Sequence, residues 1–194
     1  MHVSAFLVSF LLAPAANAAA CIKGGSISGE TPVPLSADEC AATPSDSAAP
    51  HNNGSHDNAL QKRYYVDPNY IGPQFCFAPD AFGSHPDIQS AAQLQYSWDA
   101  CYYSVNHMIR KNDDSSALRF HTEYQGADYF YFVYWKPGCE SSVTEFDAWQ
   151  PIRDNPNWTC AGILRRNYLN CNNGGVGGNF QIGCVGYEFK PTKG

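Results

Sequence analysis

Three side chains that alternate along one predicted strand, Arg119, His121 and Glu123, have the types needed for general acid–base chemistry. Alternate residues of an extended chain lie on the same face, about 7 Å apart. A base, an acid and a cation at this spacing could cleave RNA. The competing interpretation is an ordinary solvated sheet face, where alternation places charged residues in any case. The absence of a second well-placed histidine on that face favours this second interpretation.

The strand that carries these residues belongs to a predicted hairpin. Residues 118–124 and 128–135 have the alternation and the aromatic content of strands, and Gln125-Gly126-Ala127 is short enough to join them. A three-residue loop would place Phe120 opposite Phe132. The core face would then contain Leu118, Phe120, Phe130 and Phe132, and Tyr129 and Tyr131 would share the outer face with the charged residues. A two-residue loop changes that pairing.

The remaining elements are two helices and two outer strands. Proline after Ser84-His85 predicts a helix start, and a stripe at intervals of three or four residues extends the helix over 86–111. The stripe consists of Ile88, Ala91, Leu94, Trp98, Cys101, Val105 and Met108. A first strand is predicted at 74–77, a second helix at about 157–170 and a last strand at 179–189. Ser142 to Glu145 resembles a capping box that opens a short helical turn.

The order is therefore β-α-β-β-α-β, which predicts an α+β fold. Two split β-α-β crossovers would give a four-stranded antiparallel sheet with two helices on one face, a two-layer sandwich stabilised by disulfides.

The chain is predicted to have three parts. Residues 1–18 resemble a signal peptide, with an apolar run and an A-x-A site that predicts cleavage after Ala18. Residues 19–63 lack aromatic residues and predict a disordered propeptide. This segment ends at Lys62-Arg63, a dibasic pair suited to a processing protease, although a chance pair in a linker is the alternative. Residues 64–194 form the predicted mature domain, and the whole pattern predicts a secreted, extracellular protein.

All eight cysteines follow the signal peptide, at positions 21, 40, 76, 101, 139, 160, 171 and 184. An even number in an exported chain predicts disulfides. Cys21 and Cys40 would pair within the propeptide and the other six within the mature domain, with their connectivity left open. The spacing contains no zinc signature, so neither a metal nor a cofactor is predicted.

The charge balance bears on possible partners. Residues 64–194 carry nine Lys and Arg against thirteen Asp and Glu, a net charge of −4. This argues against a protein that binds a phosphate backbone, because such binding depends on clustered positive charge.

Three further features are possible sites. The glycine-rich loop at 172–178 could hold an anion, but it lacks the Lys-Ser/Thr of a P-loop and is better interpreted as a connector. The aromatic set Tyr129, Tyr131, Trp135 and Trp149 could stack on sugar rings, whereas packing in the core is the commoner role. Asn53 and Asn157 begin glycosylation sequons.

The C-terminal part carries a family resemblance. Trp158-x-Cys160, Cys171-Asn172, a Gly-Gly loop and finally Cys184-x-x-Tyr187-x-Phe189-x-Pro191 resemble a signature of fungal secreted proteins. The motif is similar to the cysteine-rich killer-toxin-like segments that accompany some fungal chitinases, and to necrosis-inducing proteins of the effector type. It covers about residues 158–191. The resemblance implies toxin- or effector-like action without a recognised catalytic centre.

The leading functional hypothesis is a non-enzymatic secreted toxin or effector that acts on another cell's surface, wall or membrane. Its expected partners are a host or competitor cell-surface component, such as a cell-wall polysaccharide, and the processing protease. The protein is expected to be a monomer. The alternatives are a small ribonuclease that uses Arg119, His121 and Glu123, and a module that binds chitin or glucan.

Overall fold

The computed structural model describes residues 63–191, together with the backbone of two short strands, β1 (Cys21–Lys23) and β2 (Val33–Pro34). The predictions for Ala18, Cys40, Asn53 and Lys62 lie outside the described residues, as does the side chain of Cys21.

The remaining elements follow one another between residues 64 and 190. They are β3 (Tyr64–Tyr65), β4 (Phe75–Cys76), α1 (Ser90–Tyr102), β5 (Met108–Arg110), a 3-10 helix (Asp114–Ser116), β6 (Leu118–Tyr124), β7 (Ala127–Trp135), β8 (Cys139–Glu140), β9 (Glu145–Asp147), α2 (Cys160–Leu169), β10 (Gly178–Ile182) and β11 (Val185–Lys190). The α+β class is confirmed.

The main sheet has the strand order β2-β1-β6-β7-β11-β10-β4. The five strands from β6 to β4 belong to the body and are antiparallel to their neighbours. Two small sheets, β3-β8 and β5-β9, complete the fold. The prediction of four strands was wrong because residues 179–189 do not form one strand. They form two, joined at Gly183, which has the left-handed φ of 53°.

The helices pack on one face of this sheet, as predicted. Tyr131 from β7 donates a hydrogen bond from its hydroxyl to the Gln93 carbonyl of α1 at 3.1 Å. Asn167 of α2 donates to the carbonyl of Tyr187 in β11 at 2.7 Å. Side chains from both layers fill the space between them, and the largest fully buried ones include Tyr96, Tyr129, Tyr131, Tyr187 and Phe189.

The first helix is shorter than predicted. It ends at Tyr102, where Ser104 turns back to the carbonyl of Cys101 through both its amide (2.8 Å) and its hydroxyl (2.6 Å). Asn106 then adopts a left-handed φ of 61°, and the chain continues as β5. Its beginning also differs, since the amide of Gln89 donates to the Tyr129 hydroxyl instead of to a side-chain cap.

The buried face of α1 matches the predicted stripe only in part, since Ile88 and Cys101 are buried as that stripe predicts. Leu94, Trp98 and Val105 are exposed, whereas the polar residues Gln93 and Ser97 are completely buried. Hydrogen bonds compensate for the loss of water, because Ser97 donates to the Gln93 carbonyl and Gln93 donates to Ser97. Apolar periodicity misses such a face, since it counts buried polar residues as solvated.

The structure decides between the two loop lengths that the sequence left open, and it corrects one smaller prediction. The Gln125-Gly126 turn has two residues, both with positive φ, so Phe120 pairs with Tyr131 and not with Phe132. This one-residue shift exchanges the two faces of β7, and Tyr129 and Tyr131 become core residues. In the predicted capping-box region, residues 145–147 form strand β9 against β5 instead of a helical turn.

Three disulfides join the described elements. Cys76–Cys171 links β4 to the end of α2, Cys101–Cys160 links the two helices, and Cys139–Cys184 links β8 to the turn between β10 and β11. The prediction of disulfides for these six cysteines is confirmed, and the structure supplies the connectivity. Among residues 63–191, no helix is both long and apolar enough to cross a membrane.

Candidate functional site

Arg119, His121 and Glu123 lie on the sheet face opposite the helices. Across the hairpin they are paired with Phe132, Phe130 and Asp128, respectively. We call this side of the sheet the polar sheet face; it comprises the three β6 residues with Asp128, Phe130, Phe132, Tyr134, Asn179, Glu188 and Lys190.

His121 forms a defined pair with Asp128. Its Nε2 lies 2.7 Å from the Asp128 carboxylate, and its ring stacks on Phe130 with the centroids 4.0 Å apart. Both side chains are largely buried, with 19% of the histidine and 8% of the aspartate exposed. A carboxylate on one ring nitrogen fixes the orientation and tautomer of an imidazole, and leaves the other nitrogen to exchange a proton.

The other two β6 residues do not converge on His121. Arg119 binds the carboxylate of Asp114 through Nη2, at 2.9 and 3.1 Å from its two oxygens. Its Nε is buried and has no hydrogen-bond partner. Glu123 is exposed near the hairpin turn. The structure therefore places the three predicted residues on one face, but Arg119 contacts Asp114, His121 contacts Asp128 and Glu123 is exposed.

A buried polar network on β7, β10 and β11 extends this face. Glu188 is paired with Lys190, whose Nζ lies 3.3 Å from Oε1, and its other oxygen accepts hydrogen bonds from Tyr134 and Asn179. Asn179 also donates to the Tyr134 hydroxyl at 2.9 Å. Lys190 lies over the ring of Phe132, 4.9 Å from its centroid. This network was not among the predicted sites, although alternation in residues 185–190 places Glu188 and Lys190 on one face.

A second candidate surface is an exposed aromatic ridge on α1, formed by Leu94, Trp98 and Tyr102. These residues are 44%, 50% and 72% exposed, respectively, and lie on successive turns of the helix. Trp98 also contacts Trp149, with ring centroids 6.2 Å apart. Leu94 and Trp98 belong to the predicted apolar stripe of this helix, and that pattern alone does not show that they are exposed.

Polar groups accompany the ridge. Gln95 donates a hydrogen bond to the carboxylate of Asp99 at 2.9 Å. Partial burial raises the pKa of Asp99 above its ordinary value, and the hydrogen bond from Gln95 opposes that shift. Helix α1 contains no lysine or arginine. The ridge thus combines exposed rings with uncharged and acidic hydrogen-bonding groups.

The aromatic platform predicted from Tyr129, Tyr131, Trp135 and Trp149 is not a surface. Tyr129 and Tyr131 are completely buried, and Trp135 is half-buried and donates from its indole to the Cys139 carbonyl at 3.0 Å. Only Trp149, through its contact with Trp98, borders an exposed aromatic surface.

A polar pocket of about 530 Å³ lies at the opposite end of β7 from the hairpin turn. Its charged lining residues are Arg63, Lys111, Lys136, Asp113, Asp114 and Glu140. Lys111 is ion-paired with Glu140, and this hydrogen bond lowers the pKa of the Glu140 carboxyl. With equal numbers of cationic and anionic side chains, the lining favours neither charge of ligand.

The remaining candidates have structural roles or stay predictions. In the glycine-rich loop, Asn173 donates to the carbonyls of Phe77 and Gly177 at 2.9 and 2.8 Å, as expected of a packed connector. Asn157 is exposed, and the Thr159 of its sequon caps α2 by accepting from Gly162; its glycosylation stays a prediction. The described part of the chain contains no cluster of side chains suited to a metal ion.

Searches against protein-family models, curated proteins and solved structures found no match to this chain.

Proposed function

We propose that residues 64–194 form a toxin- or effector-type domain that is secreted and acts on another cell's wall without catalysis, by binding uncharged polysaccharide through the aromatic ridge. The observation that carries this proposal is the exposure of Leu94, Trp98 and Tyr102 on one face of a helix. The three disulfides support an exported protein, because such bonds persist in oxidising compartments. The fungal-type C-terminal motif agrees with the same class.

Exposed apolar surface of this kind points to a partner. Single exposed apolar residues are normal, but aligned large ones mark interaction sites. The opposite face of α1 packs against the core through Ala92, Tyr96 and Ala100. The ridge is therefore not needed to attach the helix, and its aromatic composition requires a separate explanation.

The charge of the ridge favours sugars over anionic membranes or nucleic acids. Helices that lie in a membrane interface are typically rich in lysine and arginine on their polar face, and α1 has neither. Residues 64–194 also carry a net charge of −4, from nine basic and thirteen acidic residues. Aromatic rings with one wet edge, next to amide and carboxylate groups, suit the apolar faces and hydroxyls of uncharged sugar rings.

The ridge can be tested by retention of the purified chain on insoluble chitin and β-glucan. Trp98→Ala and Tyr102→Ala should each weaken retention about tenfold or more, since buried aromatic anchors dominate such contacts. Tyr65→Ala is the matched control, because Tyr65 is 68% exposed but lies on β3. All three variants should keep the parent melting temperature.

Retention of the parent no better than on an inert matrix would refute polysaccharide binding. Full retention by both ridge variants would refute the ridge. Binding to anionic lipid vesicles instead of polysaccharide would show that the chain acts on a membrane surface and not on the cell wall.

A ribonuclease is the second candidate, and the His121–Asp128 pair favours it. This pair supplies an oriented imidazole, and Arg119 and Glu123 share its sheet face. This function ranks second because Arg119 is ion-paired with Asp114, and no described contact brings its guanidinium to His121.

The ribonuclease hypothesis is decided by cleavage of a labelled RNA. If it is correct, His121→Ala should abolish cleavage, since general acid–base catalysis contributes at least about a hundredfold in rate. His85→Ala serves as the control, because His85 precedes α1 and hydrogen-bonds only locally to Pro86. A parent protein that leaves RNA intact excludes the enzyme.

A further inference from the structure

The edge of β6 is occupied by a strand from the part of the chain that precedes the predicted processing site. Strand β1 pairs with β6 in parallel, with Cys21 opposite Arg119, Ile22 opposite Phe120 and Lys23 opposite His121. Strand β2 pairs with the outer side of β1. Without β1, β6 would be the edge strand of the five-stranded body sheet.

The body of the protein begins immediately after Arg63. The amide of Tyr64 donates to the Gly138 carbonyl at 3.1 Å, and that of Val66 donates to the Glu140 carbonyl at 2.9 Å. Arg63 itself is exposed. Hydrolysis between Arg63 and Tyr64 therefore removes no element of the body, and strand β3 remains paired with β8.

The described disulfides do not cross this boundary. All three close between residues 76 and 184, within the predicted mature domain. Within the part of the chain that the structure describes, the peptide chain at Arg63–Tyr64 is thus the covalent connection between β1 and the sheet that it extends.

We propose that the β6 edge is a strand-docking site whose first occupant is the chain's own propeptide, and that cleavage after Arg63 makes this occupant dissociable. A protease specific for dibasic sites adds water across the Arg63–Tyr64 peptide bond. Arg63 receives a carboxylate and Tyr64 receives an α-ammonium group. The propeptide then binds β6 only through the sheet, and its departure uncovers backbone groups beside Arg119 and His121.

The physical reason lies in the length of the pairing. An exposed strand edge presents unpaired amides and carbonyls that accept another strand, and main-chain hydrogen bonds supply the affinity. Before cleavage, the tether holds β1 near β6 at an effective concentration of the order of 1 mM. After cleavage, a ladder of three residues in β1 must bind from dilute solution. The short β1–β6 ladder, which is stable while the two strands belong to one chain, then dissociates on dilution.

The position of the edge gives this release a consequence for the polar sheet face. Lys23 lies opposite His121 in the β1–β6 register, at the border of that face. Loss of β1 is thus expected to expose the β6 edge beside Arg119 and His121, independently of polysaccharide binding by the ridge.

The experiment treats the purified chain, still carrying β1, with a kexin-type protease and follows hydrogen exchange of the β6 amides. Under non-reducing conditions, cleavage should give two species that separate by gel filtration at micromolar concentration. Exchange at β6 should become about tenfold faster or more in the larger species, because its edge amides lose protection. Exchange at β11, in the centre of the sheet, should not change.

Variants identify the strand responsible. Arg63→Ala should block cleavage and keep β6 protected. In the uncleaved chain, Ile22→Pro should accelerate exchange at β6, because proline removes a donor and disrupts the ladder. Ser45→Pro, outside both short strands, is the matched control and should leave exchange at β6 unchanged. Neither proline substitution alters residues 64–194.

Four results would overturn the proposal. The protease could leave the Arg63–Tyr64 bond intact, or the two fragments could stay linked until a reductant is added. The fragments could also remain associated on dilution, or exchange at β6 could be unaffected both by cleavage and by Ile22→Pro. None of them depends on polysaccharide binding, so failure here and failure of the ridge are distinguished.

Discussion

Tyrosine hydroxyls connect the helix layer and the loops to the sheet. Tyr131 donates to the Gln93 carbonyl at 3.1 Å and Tyr187 donates to the Ala148 carbonyl at 3.0 Å. Both side chains are completely buried, and burial raises the pKa of each phenol well above its ordinary value of 10.0. Each hydroxyl fixes the distance between two elements while its ring fills the core.

The raised pKa values predict a loss of stability in alkali. The folded state keeps these phenols protonated, whereas the unfolded chain releases their protons above about pH 10. Stability is therefore fully present below about pH 10 and falls as the pH rises through that value, because the unfolded state then binds fewer protons. Denaturant unfolding at several pH values between about 8 and about 11.5, on both sides of the phenol pKa, should show this decline.

The variant Tyr131→Phe tests two effects of the hydroxyl, its hydrogen bond at neutral pH and its ionisation in the unfolded chain above about pH 10. At neutral pH it should lose about 1 kcal/mol of unfolding free energy, the value of one buried hydrogen bond. Above about pH 10 its stability should decline less steeply than that of the parent. Tyr65→Phe, at an exposed tyrosine, is the control and should keep the parent slope. An unchanged slope in Tyr131→Phe would contradict the assignment to this residue.

The hairpin of β10 and β11 determines the size of the sheet. Gly183 makes the reversal with φ of 53°, and Ile182 and Val185 close the ladder on either side. A Cβ atom at Gly183 would lie 2.4 Å from Cζ of Phe146 and 2.7 Å from the Pro68 carbonyl oxygen. Glycine is required here both for its backbone conformation and for the close approach of Phe146.

Gly183→Ala should therefore destabilise the fold by more than the cost of a left-handed residue alone. Gly126→Ala provides the matched comparison, since Gly126 has φ of 76° and a Cβ atom added there would meet nothing within 4 Å beyond its chain neighbours. We expect a loss of about 1 kcal/mol at Gly126 and roughly 2–4 kcal/mol at Gly183, where overpacking is added. Urea unfolding of both variants measures the difference, and equal losses would refute the steric contribution.

In the whole molecule, the disulfides stabilise the fold and hydrogen bonds compensate for its buried charges. The three bridges connect β4 with α2, α1 with α2, and β8 with the β10–β11 turn, so each joins distant parts of the body. Closing such long loops restricts the unfolded chain and raises stability.

Glu188 and Lys190 are 0% and 5% exposed, and a buried ion pair needs further hydrogen bonds to offset desolvation. Tyr134 and Asn179 supply such bonds to Glu188.

The surfaces proposed to function are distributed over different sides of this body. The aromatic ridge lies on α1, in the helix layer, whereas the β6 edge and the polar sheet face belong to the sheet. Polysaccharide binding and release of the propeptide strand are therefore expected to be separable by mutation.

Local patterns in the sequence determined the class of the fold, the existence of both helices, the β6–β7 hairpin and the disulfide state of six cysteines. Alternation also placed Arg119, His121 and Glu123 on one strand face. These features depend on neighbours in the chain, and periodicity and residue type record such neighbours directly.

Only the tertiary structure decided which face of α1 is buried, where that helix ends and how β7 is registered. Gln93 and Ser97 are buried because hydrogen bonds satisfy them, some from distant residues: Arg165 donates to Gln93 at 2.7 Å, and Gln93 donates to the Leu164 carbonyl. With that face in the core, Leu94 and Trp98 are left in solvent. The pairing of His121 with Asp128 likewise required the two-residue turn. Contacts between residues far apart in the chain fix these features, and no local pattern contains them.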